Sequence, residues 1–140
     1  MIDPAQVPAV EPGETLARFV LFSKHFRSNN TIRPEAFIPP KNLALSVTRH
    51  LLANDQELWE LGQNVAIERQ KTLYGRADVL ADVCLKQSLT VNASPISRNP
   101  NHADIKGWPN EKDSQLILAQ EIAAAANWVP RNPTLGDAAS

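Results

Sequence analysis

The stretch from Asn99 to Trp108, Asn-Pro-Asn-His-Ala-Asp-Ile-Lys-Gly-Trp, closed by Pro109, carries the densest chemistry in the chain. Pro, Asn and Gly suffice for a turn, because their backbones accept tight geometry. A turn has no use for His102, Asp104 and Trp108 within seven positions. His102, with the Asp104 carboxylate two residues on, could serve as a general base held by an acid, or as a metal ligand. A divalent ion would need two more ligands; His25 and His50 are the candidates, and no His-Glu-x-x-His spacing is present. The plainer roles are structural: the imidazole caps a loop carbonyl, and Trp108 anchors the loop to the domain.

A second group lies at Ser46, Thr48, Arg49 and His50, where a strand-like run meets a helix start. Two hydroxyls and a bidentate guanidinium suit an oxyanion. The plainer reading pairs Arg49 with a helix carboxylate such as Glu57. Arg76 and Asp78, flanking Ala77, read as a salt bridge beside a helix cap.

Charge is spread unevenly along the 140 residues, whose net charge is −1. Residues 1–15 carry −3, residues 16–50 carry +5, and the remainder carries −3. The basic third holds Arg18, Lys24, Arg27, Arg33, Lys41 and Arg49, together with His25 and all four phenylalanines, Phe19, Phe22, Phe26 and Phe37. Rings interleaved with cations are what single-stranded nucleic acid requires, since rings stack on bases and cations follow phosphates. Against this, Phe19 and Phe22 lie three apart in a strand-like run, so they point to opposite faces and one belongs to the core. The ligand-binding candidates are therefore Arg18, Lys24, His25, Arg27, Arg33, Ser46 and Trp108; the catalytic candidates are His102, Arg49 and Asp104.

Several classes lack their signposts. There is no Gly-rich phosphate loop, no Gly-x-Ser-x-Gly and no pair of catalytic carboxylates, and neither a cofactor nor a metal is expected. The single cysteine, Cys84, cannot form an internal disulfide and reads as a buried, inert thiol. No apolar run reaches the roughly 18 residues of a membrane helix, and no secretory signal pattern opens the chain, so a cytoplasmic location is expected.

The elements that must position these residues can be read in order. Residues 1–15, with three prolines and only acidic charge, read as a flexible leader. Leu16–Ser23 reads as a buried strand and Leu43–Thr48 as a half-buried one. Asn54 followed by Glu57 forms a capping box, and Leu58, Leu61 and Val65 then give an apolar helical face over 55–71, with Glu60, Gln63, Glu68 and Gln70 in solvent. Over residues 77–87, Ala77, Val79, Ala81, Val83 and Leu85 alternate like a strand, while Val79, Leu80, Val83 and Cys84 also fit one helical face; Asp78 as a cap and the following Leu-Thr-Val favour a short helix that enters the strand Leu89–Ala93. Residues 94–109 read as a long loop, 112–127 as an Ala-rich helix, and 128–140 as a flexible tail. The fold class is α+β: a small antiparallel or mixed sheet, with the two main helices packed on one face, in a single domain over 16–127.

The string Asn-His-Ala-Asp-Ile-Lys-Gly-Trp-Pro, with Ala36-Phe37-Ile38-Pro39 and Leu45-Ser46-Val47-Thr48-Arg49, resembles a group of small bacterial proteins of no assigned activity, over roughly residues 16–126. The resemblance implies a bacterial, cytoplasmic setting and transfers no functional residue. Three functions fit the sequence. The first is a non-enzymatic accessory protein that meets a protein partner through segment 16–50 and loop 99–109. The second is a small nuclease- or transferase-like enzyme on a phosphate-containing substrate, with His102 as acid/base and Arg49 on the anion. The third is a nucleic-acid-binding module. The second requires His102 and Arg49 to share a cleft; the third requires the basic side chains of 16–50 to share a face.

Overall fold

A computed structural model describes residues 3–51 and 53–131. Six strands form one antiparallel sheet: β1 (Thr15–Val20), β2 (Leu45–Arg49), β3 (Gly75–Leu80), β4 (Thr90–Ala93), β5 (His102–Lys106) and β6 (Asn127–Pro130). Their spatial order is β4-β5-β2-β1-β3-β6. Among the described residues three α-helices interrupt them: α1 (Asp55–Glu68), α2 (Ala81–Lys86) and α3 (Lys112–Ala125). The α+β class follows from the sequence, and no helix among the described residues is long and apolar enough to cross a membrane.

The two longer helices take opposite faces of the sheet, not one. Successive side chains of a strand alternate between faces. Leu16, Val20, Leu45, Val47, Val79 and Ile105 therefore share one face, where Ala119, Ile122 and Ala123 of α3 and Phe37 of the 3-10 turn Pro34–Phe37 close the main core. Phe19 projects to the other face and joins Leu21, Leu73, Trp59, Val65 and Ala66 in a smaller cluster under α1. Gly62 permits that approach, since a Cβ there would sit 2.8 Å from the Phe19 ring.

Local chemistry explains the element ends. Asn54 accepts from the Glu57 amide at 2.8 Å, and Glu57 accepts from the Asn54 amide at 3.3 Å, which completes the capping box at the head of α1. Asp78 caps no helix; it lies within β3, and α2 starts three residues later at Ala81. The expected loop 94–109 contains β5, whose Ala103 and Ile105 point into the core while His102 and Asp104 point away. The expected tail begins with β6 at the sheet edge, where Trp128 stacks on Phe26 at 4.8 Å between centroids and 15° between planes. Residues 132–140 of that tail lie outside the described residues. The leader is docked: Ala81 and Asp82 donate backbone hydrogen bonds to the Glu14 and Pro12 carbonyls, both at 2.9 Å.

Candidate functional site

Arg49 follows the alternation of β2. It is opposed to Leu16 in the β1–β2 ladder, so it shares that residue's face, away from His102. Its side chain is fully buried. Nε and Nη2 each donate to a Glu14 carboxylate oxygen at 2.8 Å, and Nη1 and Nη2 donate to the carbonyls of Pro8 and Ala9 at 2.7 and 3.2 Å. Its partner is thus the leader's Glu14 and not Glu57. The convergence of His102 and Arg49 in one cleft, which the enzyme reading needs, does not occur.

His102 sits on β5 opposite Thr48, with Asp104 opposite Ser46. Its Nδ1 lies 2.9 Å from the Ser94 carbonyl oxygen. A carbonyl can only accept, so Nδ1 carries the proton and Nε2 is left with a free lone pair in the neutral ring. The nearest Asp104 oxygen is 4.0 Å from Nε2. The imidazole does cap a loop carbonyl, as the plainer reading has it. Trp108 anchors its segment in the same way: the ring is buried and Nε1 donates to the Ile105 carbonyl at 2.9 Å. Among the described residues no group of three or more His, Cys, Asp or Glu side chains could hold a metal ion, so His25, His50 and His102 do not form one.

The asparagines around His102 brace it. Asn99 donates from Nδ2 to the Thr48 hydroxyl at 2.9 Å and accepts from the Asn101 amide at 3.0 Å. The Asn101 carbonyl in turn accepts from the Arg49 amide at 2.7 Å. These bonds fix the 94–101 connection against β2, which accounts for polar residues that a turn alone would not need.

The cleft opens where the ladder between β1 and β2 stops. The two strands are in register only at Leu16↔Arg49 and Ala17↔Thr48. Beyond that point Arg18 fills the gap, donating from Nε to the Ala36 carbonyl and from Nη1 to the Ser46 carbonyl, both at 3.0 Å. The cavity of about 470 Å³ has α1 as one wall, through Leu61, Asn64, Val65 and Ile67, and Ser46, Thr48, Asn99 and His102 as the other. Its base is Phe19, Leu21 and Val47. Among the described residues Arg18, Arg69 and Arg98 are its cations and Glu68 its only lining carboxylate, paired with Arg98.

Arg18 is the unusual member. Its hydrogen-bond partners are backbone carbonyls, and among the described residues neither it nor Arg69 has a carboxylate in ion-pair reach. Burial, and then the positive charge of Arg69, bring the Arg18 pKa down to about 10. Two cations that repel each other in a partly apolar cleft are a pre-formed place for an anion. No family model, no curated protein and no solved structure matches the chain.

The remaining candidates from the sequence scatter. Lys24 and Arg33 are exposed. His25 is half-buried against Phe22, with ring centroids 5.0 Å apart, and its pKa is lowered by burial and by Arg18, against the opposing pull of Glu35. Arg27 donates to the Thr31 hydroxyl at 3.3 Å and to the Ile32 carbonyl at 3.1 Å, holding its own loop. With Arg49 turned into the domain and Arg18 in the cleft, the basic segment forms no single cationic face. Its phenylalanines are divided too: Phe37 is fully buried, Phe26 stacks on Trp128, and Phe19 lies under α1.

A second polar cluster joins α1 to β3. Arg76 donates through Nε to both Asp78 oxygens at 3.1 and 3.2 Å and through Nη2 to Asp55 at 3.0 Å, and it stacks over Trp59 at 4.6 Å. His50 Nε2 lies 3.1 Å from Asp78. The expected Arg76–Asp78 salt bridge is present within β3, and the bond from Arg76 to Asp55 holds the head of α1 on the sheet.

Of the cleft residues, the sequence pointed to Arg18, Ser46, Thr48 and His102. It passed over Asn64, Arg69, Ile96 and Arg98, took Asn99 only as the turn residue that opens the 99–108 stretch, and assigned Glu68 to solvent. The available signal was the helical spacing of Leu61, Val65 and Glu68 beside Arg69, which places apolar and charged groups along one edge of α1.

Proposed function

We propose that the protein is a non-enzymatic binding module whose working surface is the cleft beneath α1, and that its ligand presents an anionic group there. Segment 16–50 contributes Arg18 and Ser46, and segment 99–109 contributes Asn99 and His102. The observation that carries this reading is Arg18: a half-buried guanidinium held by two carbonyls beside a second cation, with no carboxylate among the described residues to neutralise either. A buried charge is costly unless it is paired, so the site favours an anion from outside the chain. The two carbonyl bonds leave Nη2 unused among the described residues, and Ser46, Asn64 and Asn99 supply neutral donors around it. The nucleic-acid reading lacks a common cationic face, and the enzyme reading lacks Arg49 beside His102, since Arg49 does not line the cleft.

Titration of the isotope-labelled protein with acetate and with inorganic phosphate tests this reading through amide chemical shifts. Saturable shifts confined to Arg18, Ser46, Asn64, Arg69 and His102, and lost in Arg69→Glu, are expected. Shifts that never saturate, or that scatter over the surface, refute it.

A further inference from the structure

The shape and charge of the cleft narrow the class of anion. Its wall cations, Arg18, Arg69 and Arg98, are offset by Glu68 in the wall and by Asp104 behind His102. That leaves one net positive charge, which suits a monoanion better than a phosphate dianion. The cations occupy only part of the lining. Phe19 and Leu21 of the base and Leu61 and Val65 of the α1 wall form an apolar lining, and it continues outward to Ile67 and Ile96, which are 63% and 38% exposed. Water on isoleucines at the mouth is unfavourable, and an apolar chain lying over them would displace it. A volume of about 470 Å³ falls within the range of small-molecule sites.

From these features we infer that the cleft binds an amphipathic monocarboxylate, its carboxylate between Arg18 and Arg69 and its unbranched apolar chain running along Leu61, Val65 and Ile67 to the mouth. This rests on the anion-binding reading above and adds to it the headgroup and the tail. The free Arg18 Nη2 edge and the Arg69 guanidinium can each donate to one carboxylate oxygen. The Ser46 hydroxyl and the Asn64 amide offer further donors from the two walls.

Calorimetric titration of the full chain with acetate, hexanoate, octanoate and decanoate, alongside octyl phosphate and octan-1-ol, tests the inference. Affinity should rise about three- to fourfold for each added methylene until the chain fills the cleft. Octan-1-ol should bind at least tenfold more weakly than octanoate, because a charged hydrogen-bonded headgroup contributes about that much. Arg18→Gln should weaken octanoate by the same factor. Should that variant fail to fold, Ile67→Ser, at an exposed site, should flatten the chain-length dependence while leaving acetate unaffected.

Binding of acetate with no gain from chain length would overturn the inference and leave the anion-binding reading intact. The same holds if octyl phosphate binds and octanoate does not. Octan-1-ol binding as tightly as octanoate would make the cleft merely apolar, and no binding of any anion would end both readings.

Discussion

Replacing Glu14 by Gln should destabilise the fold far more than its place in a proline-rich leader suggests. Its carboxylate takes two hydrogen bonds from Arg49, whose side chain is 0% exposed, while Glu14 itself is 12% exposed. Gln can offer Arg49 one carbonyl oxygen, but its amide group opposes a guanidinium donor at the other position. The Pro8 and Ala9 carbonyls still hold Arg49, yet its charge is left buried without a counter-charge. Breaking a buried pair by removing one partner costs roughly 3–5 kcal/mol, and the partial exposure of Glu14 places this variant near the lower end, about 3 kcal/mol. For a chain of 140 residues that corresponds to a fall in Tm of about 10 °C.

The same pair carries a pH dependence. Burial raises the Glu14 pKa, but it is outweighed by the Arg49 hydrogen bonds, the bond from the Glu11 amide and the Arg49 charge, so the carboxyl titrates below its ordinary 4.5. A carboxylate with a lowered folded pKa stabilises the fold above the unfolded value, and that contribution is lost as pH falls through the folded one. The gap between wild type and Glu14→Gln should therefore be full near neutrality and close on acidification. Urea unfolding of wild type, Glu14→Gln, Arg49→Met and the double variant reads both effects. The double variant should lose less than the sum of the singles, because neither charge is then left alone. A Glu14→Gln cost under about 0.5 kcal/mol at neutral pH, the level of an ordinary surface change, would refute the reasoning. Arg49→Met should also leave anion binding in the cleft unchanged, since Arg49 faces away from it.

Further expectations follow from single contacts. Cys84 is buried, which pushes its pKa up to about 12, so it should resist thiol reagents at mildly alkaline pH until urea opens the fold; prompt native labelling would contradict this. In Gly75→Ala a Cβ would lie 2.5 Å from both the Trp128 ring and the Val129 carbonyl oxygen, so β6 must shift, at a cost of about 2–3 kcal/mol with altered Trp fluorescence. Asn54→Ala removes half of the capping box and should cost about 1 kcal/mol in urea unfolding. His25 should titrate below 6.5 by NMR, through burial and then Arg18, and move up in Arg18→Gln. Because its folded pKa is lowered, stability linked to His25 is present above 6.5 and is lost as pH falls toward the folded value; a midpoint at or above 6.5 would refute this.

The parts of the fold that were legible are those whose signals are local. The capping box at Asn54 and the spacing of Leu58 and Leu61 mark α1 without reference to any other segment. The apolar density of Leu16–Val20 marks β1. β5 escaped because Asn99, Pro100, Gly107 and Pro109 bracket it with turn residues, and only Ala103 and Ile105 face inward. β6 escaped because Pro130 argues against a strand. At a sheet edge, however, a residue without an N–H disrupts no central ladder. Both strands exist through pairing with distant partners, and a single segment carries little trace of that.

The choice between two arginines shows the same limit at the site. Arg18 and Arg49 each lie in an apolar strand, and nothing in their neighbours separates a structural cation from a ligand-binding one. Register separates them. Because Leu16 opposes Arg49, that guanidinium turns toward the face where the leader crosses, and Glu14 neutralises it. Because the ladder ends after Ala17, Arg18 comes next at an open gap where only carbonyls are at hand. A slip of one residue would turn Arg49 to the other face, away from Glu14. The anion site thus follows from where the β1–β2 ladder stops, which is a property of two distant segments together and not of the composition of either.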